Sequence, residues 1–194
     1  MSKTQVKAGG ISLSDTFAFT GTVTGAGSLI KISSTTISSQ NTDISLPTGY
    51  KIYKLIGSNL VLGASGQSYN LYTTTDSFSS TDTDFESTRN YIRIEDGGTG
   101  VEVSDGFLRL GNNQSNDATD NLSFELTLAE LTTTRSTGYS VWGWSVYGHT
   151  NDQTSYVYTS GARSQTTSVV NGLRASCSTA SGVGGTIALY GVLT

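Results

Sequence analysis

Leu122-Ser123-Phe124-Glu125-Leu126-Thr127-Leu128-Ala129 decides the fold class. Large apolar residues alternate with polar or small ones over the whole stretch, the period of a strand with one buried face. Phe124, Leu128 and Leu131 also stand at helical spacing, but unbroken alternation with Thr and Phe inside favours a strand. The same period recurs outward in both directions. Phe17 and Phe19 alternate with Thr16, Ala18 and Thr20, Ile30 and Ile32 with Leu29 and Lys31, and Ile187 and Leu189 with Thr186, Ala188 and Tyr190. Turn clusters separate these runs: Gly25-Ala-Gly, Gly63-Ala-Ser-Gly, Asp96-Gly-Gly, Gly111-Asn-Asn and Gly182-Val-Gly-Gly. Asp96-Gly97-Gly98 and Asp105-Gly106 read as hairpin signals. The pattern predicts an all-β chain: a β-sandwich of eight to ten short antiparallel strands in two sheets of four or five. One domain is expected over residues 11–194, with residues 1–10 as an N-terminal arm. Thr73–Thr88 and Asn112–Asn121 read as exposed polar loops.

Composition agrees. Of 194 residues, 30 are Thr, 29 Ser and 23 Gly, against one Pro, one Cys and one Met. Collagen, coiled coil and membrane-spanning helices do not fit these counts. Cys177 has no intrachain partner, so folding does not need an oxidising compartment. The opening Met1–Lys7 lacks the apolar core of a signal peptide, which predicts synthesis in a cytosol.

The formal net charge is −4, with no basic footprint for nucleic acid. It is split unevenly: Lys3, Lys7, Lys31, Lys51 and Lys54 all precede residue 55, whereas Tyr72–Glu130 holds twelve acids and three Arg. The less acidic start is expected to face a partner, with Lys3, Val6 and Lys7 of the arm as its contact residues.

No constellation points to catalysis. His149 is the single histidine, and Asp152 lies near it in sequence. Gly143-Trp-Ser-Val-Tyr-Gly148 misses the spacing of a nucleophile elbow and sits in a strand pattern. Asp82, Asp84 and Glu86 alternate, but an EF-hand loop starting there would have Ser87 where Gly is needed and Arg93 where Glu is needed. Asn116, Asp117 and Asp120 form a second oxygen-rich stretch. Solvated turns are the expectation for both, with no metal and no cofactor. Val141-Trp-Gly-Trp-Ser-Val-Tyr147 is the most aromatic stretch. Trp142, Trp144 and Val146 share one face, and each Trp can bury about 200 Å². The pair is therefore expected in the core or a subunit interface, with stacking on a sugar ring as the other candidate. Tyr156 and Tyr158 are expected to pair with this strand.

Tyr50-Lys-Ile-Tyr-Lys-Leu-Ile-Gly-Ser-Asn-Leu60, Tyr69-Asn-Leu-Tyr-Thr-Thr-Thr-Asp76, Asn121-Leu-Ser-Phe-Glu-Leu126, Asn171-Gly-Leu-Arg174 and the closing Gly184-Gly-Thr-Ile-Ala-Leu-Tyr-Gly-Val192 together resemble small bacteriophage virion proteins. The likeness spans residues 50–192, and residues 1–49 match only in style. One departure is Leu62-Gly63-Ala64, where that family has Pro-Ala-Thr. The resemblance implies a jelly-roll-like sandwich in the virion, made in the host cytoplasm. The expected role is non-enzymatic: a capsid decoration (cement) protein, a homotrimer on the major capsid protein, with no nucleic acid or membrane partner. The alternative is a tail-fibre tip or adaptor that meets a tail protein and binds host surface glycan; the third is a lectin or carbohydrate-active domain.

Overall fold

The computed structural model describes residues 29–81, 85–117, 121–131, 139–149, 153–163, 169–178 and 182–192. The expected arm, with Lys3, Val6 and Lys7, lies outside them, as do Phe17, Phe19, Asp82, Asp84, Asp120 and Asp152.

The described residues form twelve strands and no helix: β1 (Leu29–Thr36), β2 (Asn41–Ser45), β3 (Ile52–Leu62), β4 (Gln67–Thr74), β5 (Glu86–Arg93), β6 (Thr99–Asp105), β7 (Leu108–Gln114), β8 (Leu122–Ala129), β9 (Tyr139–His149), β10 (Gln153–Arg163), β11 (Gly172–Cys177) and β12 (Gly182–Val192). All pairings are antiparallel. Full ladders make a large sheet ordered β1-β12-β3-β8-β9-β10-β5-β6 and a small one ordered β7-β4-β11-β2, joined by the single pair Gln114–His149. The chain is thus an all-β sandwich, with eight and four strands rather than two near-equal sheets.

The alternation read in the sequence sets the core. Leu122, Phe124, Leu126 and Leu128 of β8 are all buried, as are Tyr53 and Leu55 of β3 and Ile187 and Leu189 of β12. They form one cluster with Ile44, Leu71, Leu108, Leu110 and Leu173 of the small sheet. β12 runs between β1 and β3, so the closing motif is an internal strand. At Gly191 an added Cβ would lie 2.3 Å from the Tyr50 ring, which is why this strand carries glycine there.

Several boundaries differ from the expectation. The Gly111-Asn-Asn cluster is not a turn: it lies inside β7, where Asn113 has a φ of 52° and the β4–β7 register is irregular. Gly and Asn serve bulges as readily as turns. Gly182–Gly185 likewise opens β12, with two register shifts against β3. Asp105-Gly106 turns the chain from the large sheet to the small one, because β6 pairs with β5 and β7 with β4. Thr73 and Thr74 are buried at the end of β4, and Gln114 at the end of β7, so neither polar stretch is loop throughout. Asp96-Gly97-Gly98 is a hairpin turn joining β5 and β6, closed by Gly98 N–H donating to Asp96 Oδ1 at 2.8 Å.

Candidate binding face on the large sheet

The β5–β6 and β9–β10 hairpins lie side by side at one end of the large sheet, and their register arranges the outward side chains in rows. One row runs Val103, Thr88, Ser160, Trp142. The next runs Val101, Asn90, Tyr158, Trp144. The third runs Thr99, Ile92, Tyr156, Val146. The residues between them along each strand point the other way: Ser87, Arg89, Ser145, Tyr147, Ser155, Val157 and Thr159 are all buried.

Of the places expected for the tryptophans, this face excludes the core and leaves a subunit interface or a sugar ring. Trp142 is 45% exposed and Trp144 half-buried, both on the outer side, so neither is core. At its middle, the inner side of β9 has no room for an indole. A Cβ on Gly143 would come 2.0 Å from the Glu125 carbonyl oxygen, and Ser145 Oγ donates to the Leu110 carbonyl across the sandwich at 2.5 Å. Gly143 and Ser145 face the crowded middle of that side, between the buried Val141 and Tyr147, and the two indoles are left outside. Tyr156 and Tyr158 do pair with this strand, as expected.

The aromatic groups brace one another. Trp144 stacks on Tyr156 at 6.2 Å with 17° between planes, and Tyr156 meets Tyr158 edge-on at 5.0 Å. A hydrogen bond with Tyr158, and secondarily burial, push the Tyr156 phenol above its ordinary range. Around Trp142 lie two shallow clefts. One, of about 390 Å³, is lined by Asn90, Glu125, Thr127, Trp144 and Tyr158 besides Trp142 itself. The other, of about 430 Å³, runs towards Thr88 and Val103. Glu125, the carboxylate at the first cleft, is held by Lys54.

Behind the face, an ionic cluster ties the hairpins to the small sheet. Glu102 of β6 accepts a hydrogen bond from Arg89 Nε of β5 at 3.0 Å, is ion-paired with Arg89 Nη2 at 2.7 Å, and accepts one from Arg109 Nη1 of β7 at 3.1 Å. The Arg89 hydrogen bond, then the charges of Arg89 and Arg109, hold the Glu102 carboxyl below the usual carboxylate range against the opposing effect of burial. The space beside this cluster, lined by Tyr91, Arg93 and Tyr147, is about 100 Å³, below the size of ordinary ligand sites. It is a structural tie.

The remaining sequence candidates do not converge here. His149 ends β9 beside Gln114 of β7. Glu86 begins β5 and is exposed. Asn116 Oδ1 accepts from Ser65 Oγ at 2.6 Å, which ties the end of β7 to the β3–β4 connection, and Asp117 N–H donates to Ser115 Oγ at 3.1 Å within a local turn. Cys177 is buried, and burial pushes its thiol up to about 11. The aliphatic part of the face, Ile92, Val101 and Val103, was missed in the sequence. Thr99-Gly-Val-Glu-Val alternates clearly, but with Val facing solvent and Glu facing inward.

No protein-family model, no curated protein and no solved structure matches this chain.

Proposed function

We propose that the chain is a non-enzymatic structural protein of a bacteriophage particle, built on a jelly roll and acting as a capsid decoration protein that sits as a trimer on the major capsid protein. The strand order carries the jelly-roll part of this reading. Setting aside β5–β6 and β9–β10, eight strands remain, β1-β12-β3-β8 in one sheet and β7-β4-β11-β2 in the other. Followed along the chain, these eight change sheet at every step except β4 to β7. Two interlocked Greek keys produce that alternation, the plan of a jelly roll. Jelly rolls serve viral shells and lectins alike, and a fold alone does not choose between functions. The choice of a virion rests on the sequence resemblance, whose segments fall on neighbours. Tyr50–Leu60, Asn121–Leu126 and Gly184–Val192 map to β3, β8 and β12, adjacent in the large sheet. Tyr69–Asp76 and Asn171–Arg174 map to β4 and β11, adjacent in the small one.

The test is to add purified protein to empty heads of the phage that encodes it, made without this protein. Saturable binding in multiples of three, with heads that survive higher temperature, is the expected outcome. Heads that bind none, while tails do, would move the protein to the fibre.

A further inference from the structure

We infer that the outer face of the β5–β6 and β9–β10 hairpins is the surface through which copies of this chain associate. This inference rests on the proposed assembly into oligomers and names its contact surface. Six large apolar residues are notably exposed on or at the end of this face: Ile92, Ile94, Val101, Val103, Trp142 and Tyr158, with Val101 and Val103 at 67% and 71%. A contiguous apolar patch of this kind marks an interaction site.

Charge selects the occupant. The chain is net acidic, with most of its acids in Tyr72–Glu130. Yet the three cross-strand rows, Val103 to Trp142, Val101 to Trp144 and Thr99 to Val146, contain no charged side chain. Charges return at the margins, with Glu86 of β5 opposite Asp105 of β6 in the next row and the Glu125–Lys54 ion pair on β8 and β3. Two acidic copies that met elsewhere would bring like charges together; here they meet on neutral ground. A strongly anionic partner would find no cation in these rows, and a cationic one only the carboxylates at the margins.

The size suffices. Four strands about 4.8 Å apart and about 25 Å long give a flat area near 500 Å² per copy. Two copies then cover about 1,000 Å², the lower bound for a specific interface. The relief suits it as well, because Trp142 stands beside clefts of about 390 and 430 Å³, the arrangement of an aromatic anchor next to a receiving pocket. β6 continues the surface at the sheet edge. It pairs only with β5 among the described residues, in a bulge-free register over seven residues, and carries neither Pro nor Lys.

The experiment measures the solution mass of the full chain by sedimentation equilibrium for the wild type and for Val103→Asp, Tyr158→Asp and Ser34→Asp. Val103 and Tyr158 are exposed, and matching circular dichroism spectra establish that the variants fold. Ser34 is exposed on the same side of the sheet but on β1, far along its row. The wild type is expected at a multiple of 20.4 kDa. Val103→Asp and Tyr158→Asp should each weaken association about tenfold or more, and Ser34→Asp should not. An oligomer untouched by the two face variants overturns the surface and leaves the oligomer standing. A monomeric wild type overturns both. A monomer whose tryptophan fluorescence shifts with added neutral oligosaccharide, and not in Trp142→Ala, assigns the face to sugar instead.

Discussion

Leu189 and Gly143 show how differently single positions hold this sandwich. Leu189 is fully buried in β12, so Leu189→Ala removes packing and leaves a cavity. About 2–5 kcal/mol should be lost, read from the urea midpoint. Gly143→Ala acts through crowding: its Cβ would meet the backbone of β8, which no side-chain rotation relieves. It should cost about 1–3 kcal/mol or more. Glu102 adds a dependence on pH. Its carboxyl titrates lower in the folded chain than in the unfolded one, so its contribution is complete above the ordinary Glu range and fades as pH falls through the folded value. Glu102→Gln should flatten that acid-side loss. It should also lower stability at neutral pH by about 1–3 kcal/mol, because the buried Arg89 loses its counter-charge. Urea titrations of wild type and variant across the acid range measure both effects.

At the scale of elements, the sequence specified strands better than it specified their faces. The alternation of Leu122–Ala129 gave β8 with its buried side, since only one side was apolar. In β9 both sides held bulky residues, Trp142 and Trp144 on one and Val141 and Tyr147 on the other. Volume argued for the indoles inside. Neighbouring backbone at Gly143 and the Ser145–Leu110 hydrogen bond decided otherwise, and neither is encoded near β9. β6 was hidden for a related reason: its inward Glu102 is acceptable only because Arg89 and Arg109, 13 and 7 residues away, meet it. The closing strand was readable, and its position between β1 and β3 sharpens the consequence. A chain lacking residues 186–192 should lose cooperative unfolding and become sensitive to protease throughout; a truncated chain with an intact unfolding transition would show that β12 is dispensable.

For the whole molecule, periodicity carried the class and stopped short of the topology, because a period of two says which side a residue faces and not which strand lies beside it. The pairing of β1 with β12 joins segments from opposite ends of the described chain: Ser33 lies opposite Leu189, 156 residues later. On a ribosome adding about 5–20 residues per second, β1 therefore waits about 8–30 s for its neighbour. Through that interval the nascent chain holds β1 and β3 with an empty slot between them. Two polypeptides growing side by side on one messenger carry the same slot and, shortly afterwards, the same β12 to fill it. Recovery of soluble protein should then depend on ribosome spacing and chaperone supply during translation as well as on the stability of the finished sandwich.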